Sequence, residues 1–365
     1  MGQHGEYGGP STVAGELSMK ANETPEFISQ SKILAGCLDN DSKSDPLVEY
    51  VPVSKLPFVN SRFFLFSLKY PRSAFKMITE ADLVHLHFSR EIIQIFSGFI
   101  CILTCTPFIT QTHGMIRPKR NLVMFDIFFV RPILRKARVN LVLTNNEAET
   151  LKKVEKHITP YILPNGTFFP TIPSQADIIL NTDENRTFKI IFCSRLHSTK
   201  GVQTLIEIAR ILKDTKIIIE IYGPDYGQLN RIEEVLNEFL TTNCKFLYNG
   251  TIPHTRVREM LNKADLMILP STYDPYPMIV LESLSVGTPV LISANCGQAD
   301  IIRTFNLDFV CQTNQPHEYV NKIRSIMQRE FSSVDRINLA ALASKKFGID
   351  KVWKEASSIY NQILG

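Results

Sequence analysis

The sequence lacks a strong excess of charge of either sign. Lys and Arg total 40 and Asp and Glu total 36, which leaves a net charge of +4 over 365 residues. A dedicated nucleic-acid binder needs a larger basic surplus, because its cations must neutralise phosphates. With 44% hydrophobic and 21% charged residues, a disordered or coiled-coil chain is also excluded. The composition predicts a folded protein with no nucleic acid among its partners.

Cysteine pairs with redox or metal spacing are missing as well. The seven cysteines form no C-x-x-C motif, and an odd number leaves at least one of them unpaired. Because disulfide frameworks belong to oxidising compartments, we predict a reducing, cytoplasmic location. The glycine-rich start, from Gly2 to Gly9, has no apolar core and does not resemble a signal peptide.

The chain also has no long, uninterrupted apolar run. The longest uncharged stretch, within 92–117, is interrupted by Ser97, Gly98, Thr104 and Pro107. A transmembrane helix needs about 20 consecutive apolar residues. This stretch therefore predicts a buried helix followed by a buried strand.

What the sequence does contain is a regular alternation from residue 188 onward. Short runs rich in β-branched residues alternate there with amphipathic stretches such as 202–212 and 229–240. The runs lie at 189–193, 216–222, 245–248, 265–269 and 289–293. This order predicts an α/β, doubly wound parallel sheet.

The first half repeats this pattern less regularly. Its strands are expected at 47–53, 83–87, 108–112, 141–144 and 161–163. We predict two Rossmann-like domains, 1–168 and 169–349, because Pro and polar residues interrupt the periodicity over 165–187. A C-terminal helix, about 350–365, is expected to pack back near the first domain. A doubly wound domain normally begins with its central strand, so the glycine-rich start predicts a missing or truncated first strand.

Two cations follow the first strand of the second domain. Arg195 and Lys200 flank a predicted strand-to-helix turn that contains Gly201. Ligands bind beyond the carboxyl ends of strands in open α/β sheets, and two fixed positive charges there suit a diphosphate. Taken alone, the pair is more consistent with ordinary surface cations.

A second cluster follows the strand at 265–269. Pro277 suits the first turn of a helix, so the amides of Met278 and Ile279 are expected to form an anion site. Glu282 lies on the same helical face as Met278, and Asp274 approaches from the preceding loop. Two carboxylates would then bracket a polyol, unless Asp274 is a turn residue and Glu282 a solvated helix position.

In combination these residues resemble the retaining glycosyltransferases of family 4, also called glycosyl transferases group 1. The resemblance rests on Arg195-x4-Lys200-Gly201, on Asp274-x7-Glu282 and on Gly287-x-Pro289-Val290. Weaker signatures appear in the same order over roughly 350 residues. They are Gly8-Gly9, 82–87, Thr112-His113-Gly114, Pro164-Asn165-Gly166, Tyr222-Gly223 and Asn249-Gly250.

The resemblance implies a GT-B fold, in which two Rossmann-like domains face each other across a cleft. It implies a nucleotide-sugar donor, a UDP-sugar, whose sugar passes to a hydroxyl of a glycan or lipid-linked saccharide with retained anomeric configuration. It implies no metal and no other cofactor. The pathways it suggests are polysaccharide and lipopolysaccharide biosynthesis.

The resemblance also implies a role for each matching residue. Arg195 and Lys200 would neutralise the diphosphate, Glu282 would hold the ribose, and Asp274 and His113 would contact the transferred sugar. These four (Arg195, Lys200, His113 and Asp274) form the predicted catalytic set. The predicted donor-binding set is Gly8, Gly9, Arg195, Lys200, Gly250, Thr251, Ile252, Asp274, Met278, Ile279 and Glu282.

Three segments depart from this pattern or compete with it. The run Asp274-Pro275-Tyr276-Pro277 replaces the commoner E-G-F-G, and we interpret it as the mark of a subgroup. Asp39-Asn40-Asp41 matches a metal motif in letters only, because it lies in a polar loop. His85 and His87 share one face of a strand; without a third ligand they are interpreted as buried or cleft-lining histidines rather than a metal pair.

A basic and apolar segment, 114–139, gives the first half its excess of positive charge. Its basic residues flank the apolar run 122–130. They are Arg117, Lys119, Arg120, Arg131, Arg135, Lys136 and Arg138. The segment predicts peripheral contact with an anionic membrane or, alternatively, a core helix with a solvated rim. Alternatives for the whole chain are an inactive or regulatory nucleotide-sugar-binding homologue and, less favoured, a nucleotide-sugar isomerase.

Overall fold

The computed structural model of the chain describes residues 9–24, 30–37, 47–55, 65–169, 187–329 and 331–365. Its internal contacts divide the chain into two compact units. Unit 1 consists of Met1–Gly166 together with Ile349–Gly365, and unit 2 is Thr167–Gly348.

The described strands of unit 1 form three small sheets. Two parallel strands, β1 (Ile33–Cys37) and β2 (Val48–Pro52), pair with each other, and β3 (Ser54–Lys55) pairs antiparallel with β4 (Leu65–Phe66). A four-stranded parallel sheet follows in chain order: β5 (Val84–His87), β6 (Phe108–Gln111), β7 (Asn140–Val142) and β8 (Pro160–Ile162). Parallel neighbours place the carboxyl ends of these four strands at one edge of the sheet.

Helices pack against this sheet, and together they form the core of unit 1. They are α1 (Gly9–Glu23), α2 (Tyr70–Glu80), α3 (Ile92–Leu103), α4 (Val123–Phe125), α5 (Arg131–Lys136) and α6 (Asn145–Val154), with π-helical Asp126–Val130 joining α4 to α5. Within the described residues, α1 precedes the first strand, β1. Gly98 lets α3 approach α5 closely, because a Cβ there would lie 2.7 Å from Cδ1 of Ile133. The helix and strand predicted within 92–117 are therefore both present, as α3 and β6.

Unit 2 contains one six-stranded parallel sheet. Its strands are β9 (Phe188–Cys193), β10 (Ile217–Tyr222), β11 (Cys244–Tyr248), β12 (Leu266–Leu269), β13 (Val290–Ser293) and β14 (Val310–Cys311). Every residue of β12 and β13 is buried, as expected for parallel strands that helices cover on both faces. The helices are α7 (Val202–Ile211), α8 (Leu229–Leu236), α9 (His254–Asn262), α10 (Met278–Ser285), α11 (Ala299–Arg303), α12 (Pro316–Arg329) and α13 (Ser333–Phe347).

The strand order of unit 2 creates a topological switch point. The order is β11-β10-β9-β12-β13-β14, so the chain runs outward from β9 to one side and then from β12 to the other. Ligands in such sheets bind where the order reverses, beyond the carboxyl ends of the two central strands. The residues that follow β9 and β12 are the two clusters that the sequence singles out.

The last helix, α14 (Ile349–Leu364), belongs to unit 1. Its buried face carries Trp353 and Tyr360, and it packs against α1. The hydroxyl of Tyr360 lies 2.8 Å from Nδ1 of His85 on β5. The C-terminal helix therefore reaches the strand that carries the paired histidines.

Candidate functional site

The turn after β9 is built around Gly201. This residue has φ +78°, and a Cβ there would lie 2.0 Å from the carbonyl oxygen of Pro270. Only glycine meets both conditions without strain. The loop after β9 therefore packs directly on the loop after β12, and the amide of Thr272 donates to the carbonyl of Thr199 at 2.9 Å.

The two predicted cations lie on this turn. The guanidinium of Arg195 lies over the ring of Tyr226, 5.5 Å from its centroid. Burial lowers the pKa of His197, and the charges of Arg195 and Lys200 lower it further. Both cations therefore act on the same small volume beside β9.

Lys200 reaches across the switch point to Asp274. Their side chains form an ion pair that is largely buried, with 12% of the lysine and 7% of the aspartate side chain exposed. The loop of Asp274 is fixed by backbone hydrogen bonds to Asn295 and Gly297. A residue assigned to the diphosphate and one assigned to the sugar are thus in direct contact.

Glu282 is the second buried carboxylate. It lies on α10, is 6% exposed, and its Oε1 lies 2.7 Å from Nε2 of His254. Burial raises the pKa of Cys193 to about 12, and the charge of Glu282 raises it as well. Glu282 therefore lies near the carboxyl end of β9, close to the turn that carries Arg195.

Pro277 directly precedes α10 with φ −67° instead of occupying its first turn. Met278 is the first residue of the helix and is buried, and Ile279 follows it. The expected position of Pro277 is wrong by one residue. The helix start still lies beside Asp274, and the anion-binding role of the two residues stays a prediction.

The remaining predicted donor residues are distributed over both units. Gly250 has φ +72°, and its carbonyl accepts from the amide of Gly223 at 2.8 Å. Thr251 and Ile252 continue this loop toward α9. In unit 1, Gly9 is the first residue of α1 rather than part of a loop, and Gly8 lies outside the described residues.

His113 follows β6 in unit 1 and is held in a left-handed conformation, with φ +49°. It is 4% exposed, and its Nε2 lies 2.7 Å from Nδ1 of His87. The carboxylate of Glu147 accepts hydrogen bonds from Thr112, Gly114 and Leu143 around it. Its predicted contact with the sugar stays a prediction.

Sequence reasoning missed His254, His87 as a partner of His113, and Glu147. His254 begins α9 directly after Pro253, and only that proline marks the position. Glu147 lies in the first turn of α6, where the hydroxyl of the N-cap residue Thr144 accepts a hydrogen bond from the amide of Glu147. The pattern Thr144-x-x-Glu147 was the available signal.

The expectations of no metal site and of membrane contact concern other parts of the chain. Among the described residues, no group of three or more His, Cys, Asp or Glu side chains is arranged to hold a metal ion. The rings of His85 and His87 stack 4.6 Å apart, and Asp39-Asn40-Asp41 lies outside the described residues. No helix in the described part of the chain is long and apolar enough to span a membrane.

Comparison with known proteins agrees with this geometry. Residues 176–342, most of unit 2, match the family model described as "Glycosyl transferases group 1". The chain is 28% identical over 143 residues to an uncharacterized glycosyltransferase of Methanocaldococcus jannaschii, and the match covers 36% of each protein. It is 22% identical over 304 residues to an Escherichia coli UDP-Gal:alpha-D-GlcNAc-diphosphoundecaprenol alpha-1,3-galactosyltransferase, with 77% of each protein covered.

The same fold occurs in a solved structure of Anabaena HepE in complex with UDP and glucose. The TM-score is 0.71 at 16% identity, with 99% of this chain and 98% of HepE covered. The predicted GT-B fold of Rossmann-like units is confirmed, and the match of residues 176–342 to a glycosyltransferase domain agrees with the predicted enzyme class. The chain spans 36% and 42% of the length of the first curated relatives it matches.

Proposed function

We propose that this glycosyltransferase moves a sugar from a UDP-sugar to a hydroxyl of a glycan or lipid-linked saccharide, with retention of anomeric configuration, as family 4 enzymes do. The observation that carries the proposal is the buried contact between Lys200 and Asp274 at the switch point, beside Arg195. A diphosphate would meet cations there, and a sugar would meet carboxylates. The galactosyltransferase from Escherichia coli, whose name specifies a UDP-sugar and a lipid diphosphate acceptor, supports the choice of substrates.

The reaction needs a departing diphosphate to be stabilised. When the bond between the anomeric carbon and the diphosphate breaks, the electron pair leaves with the diphosphate. The acceptor oxygen then bonds to that carbon, and its proton passes to an oxygen of the departing diphosphate. Arg195 and Lys200 would neutralise the charge that develops on the leaving group. In other enzymes, removing one group that stabilises such a charge slows the reaction by about 10²–10³. In this proposal the two cations take the role that a divalent metal has elsewhere.

The carboxylates would fix the donor. Glu282 would accept from the ribose hydroxyls and Asp274 from hydroxyls of the sugar, since ionised carboxylates form the stronger kind of hydrogen bond. In the structure Glu282 contacts His254 and Asp274 contacts Lys200. Donor binding would therefore replace two internal contacts by contacts to the ligand.

A mass-spectrometric screen of UDP- and GDP-sugars with lipid-linked acceptors tests the proposal. We expect transfer from a UDP-sugar, and we expect Glu282→Ala and Lys200→Ala each to abolish UDP release. Lys263→Ala is the matched control, since Lys263 forms an exposed pair with Glu259. Stabilisation by UDP without turnover would instead support the binding homologue, and conversion of the donor without an acceptor would support the isomerase.

We also propose that unit 1 contacts an anionic membrane through what we call the apolar patch: Val123, Met124, Ile127, Phe128 and Phe129. All five side chains are exposed, Met124 by 63% and Phe128 by 59%. Exposed large apolar side chains in one group are unusual on a soluble surface. Of the flanking basic residues, Arg117, Lys119, Arg120, Arg135, Lys136 and Arg138 are exposed, which suits anionic headgroups.

A buried ion pair fixes the segment that carries the apolar patch. Arg90 forms two hydrogen bonds to Asp126, at 2.7 and 2.8 Å, and both residues are buried. Arg90 also donates to the carbonyl of Arg117 at 2.7 Å. This buried pair fixes the π-helical segment from which Ile127, Phe128 and Phe129 point outward.

A further inference from the structure

Three histidine rings lie next to one another at the carboxyl edge of the unit 1 sheet. His85 and His87 lie two residues apart on β5, and their rings stack with centroids 4.6 Å apart. The ring of His113 lies nearly parallel to that of His87, with centroids 5.0 Å apart and an interplanar angle of 10°. Since His87 pairs with Gln111 in the β5–β6 register, the turn after β6 brings His113 beside it.

Hydrogen bonds hold the first and the last of these three rings in place. Nδ1 of His87 lies 2.7 Å from Nε2 of His113, and Nδ1 of His85 lies 2.8 Å from the hydroxyl of Tyr360. Burial lowers the pKa of His87 to about 4 and holds the pKa values of His85 and His113 well below 6.5. All three rings are therefore neutral at pH 7, and each carries a single N–H.

His113 has a nitrogen that the structure does not use. Its Nδ1 is buried and has no hydrogen-bond partner, while the residue itself is held at φ +49°. A buried polar atom without a partner calls for a functional explanation, and so does a strained backbone at a fixed turn. Glu147 holds this turn through the amide of Gly114 and the hydroxyl of Thr112.

The unpartnered atom decides where the proton lies. Orphaned N–H groups are rarer in protein interiors than orphaned acceptors, so Nδ1 of His113 is the unprotonated nitrogen. The proton is then on Nε2, which donates to Nδ1 of His87. His87 in turn must carry its own proton on Nε2.

We infer that His87 is a positioning residue for His113: it accepts the Nε2–H of His113, selects that tautomer, and leaves Nδ1 of His113 to accept a hydroxyl of the transferred sugar. The inference rests on the proposed function for the sugar contact alone. The selection of the tautomer is a property of the ligand-free protein. His85 and Tyr360 support the ring of His87 from the other side.

Two variants at one position separate hydrogen bonding from packing. His87→Asn keeps an acceptor near the position of Nδ1, whereas His87→Phe keeps a flat ring without an acceptor. His317→Phe, at an exposed site on α12, is the matched control. Near-ultraviolet fluorescence of Trp353, the single tryptophan of the chain, reports that unit 1 is folded in each variant.

The first measurement is the ¹⁵N chemical shift of the His113 ring in the protein without added substrate. We expect the neutral Nε2–H tautomer in the wild type, in His87→Asn and in His317→Phe, and a mixture of tautomers in His87→Phe. A charged ring, an Nδ1–H tautomer, or the same tautomer in His87→Phe as in the wild type would overturn the inference. This measurement needs no substrate.

The second measurement is kcat/KM for the UDP-sugar. We expect a fall of about tenfold to a hundredfold in His87→Phe, as for other displaced substrate contacts, and recovery of most of it in His87→Asn. Unchanged turnover in His87→Phe would overturn the positioning role even if the tautomer shifts. If the wild type transfers no sugar, the proposed function is wrong, while the chemical shifts still decide the selection of the tautomer.

Discussion

Lys200 and Asp274 form a largely buried ion pair that joins the loops after the two central strands of unit 2. The cation proposed for the diphosphate is therefore neutralised by the carboxylate proposed for the sugar. Donor binding at this site would therefore exchange the ion pair for contacts to the diphosphate and to the sugar.

Removing one member of this pair should impair both turnover and stability. We expect Lys200→Met to lower kcat/KM by about 10²–10³ and, because Asp274 is left buried without its partner, to lower the free energy of unfolding by about 3–5 kcal/mol. Steady-state kinetics and calorimetry measure the two effects. Lys263→Met should cost at most about 1 kcal/mol, since its pair is exposed. Wild-type kcat/KM in Lys200→Met would contradict the assigned role.

Gly201 should not tolerate a side chain. We expect Gly201→Ala to destabilise unit 2 and to abolish UDP binding, because the added Cβ would meet the carbonyl of Pro270 at 2.0 Å. Gly227→Ala is the matched control: Gly227 has φ +88° and open space around it, so only the backbone cost of about 1–2 kcal/mol applies. Calorimetry with and without UDP compares them. Equal losses in the two variants would show that the contact with Pro270 is unimportant.

Membrane binding should depend on the apolar patch and on anionic lipid. We expect the wild type to sediment with vesicles that contain phosphatidylserine at physiological salt, and not with neutral vesicles. Phe128→Ser with Phe129→Ser should remove most of this binding, because the buried apolar area is lost. Leu240→Ser, at a residue 78% exposed in unit 2, should leave it unchanged. A wild type that stays in the supernatant with anionic vesicles would rule out the membrane contact.

Unit 1 should lose stability in acid because of its histidines. The pKa of His87 is lowered to about 4 by burial, and those of His85 and His113 are lowered too. Between pH 6.5 and 4 the unfolded chain therefore binds protons that the folded chain does not, so stability is present above pH 6.5 and falls as the pH drops. One titrating histidine contributes up to about 1.4 kcal/mol per pH unit.

Denaturant unfolding followed by Trp353 fluorescence measures this slope in unit 1. We expect His87→Asn to flatten the fall between pH 6.5 and 4.5, because one of the three titrating groups is gone. His317→Phe should keep the wild-type slope. A steeper fall in His87→Asn than in the wild type would contradict the assignment.

Much of unit 2 was predictable because the composition of each strand is itself a clear signal. The runs at 189–193 and 265–269 correspond to β9 and β12 within one residue, since buried parallel strands are rich in β-branched residues. Four of the described strands were missed. β3, β4 and β14 have only two residues each, and β1 contains Ala35 and Gly36, which favour no strand.

Local patterns in the sequence are enough to place four residues after the central strands, and therefore near one sheet edge: Arg195, Lys200, Asp274 and Glu282. The contacts between distant side chains depend on the tertiary fold: Lys200 with Asp274 across 74 positions, His254 with Glu282 across 28, and His85 with Tyr360 across 275. Hydrophobic periodicity depends only on residues that are close together in the chain, and it predicts which face of a helix or strand is buried. Contacts between side chains depend on strand order and on the path of each loop, which are fixed when the whole sheet and its helices pack together.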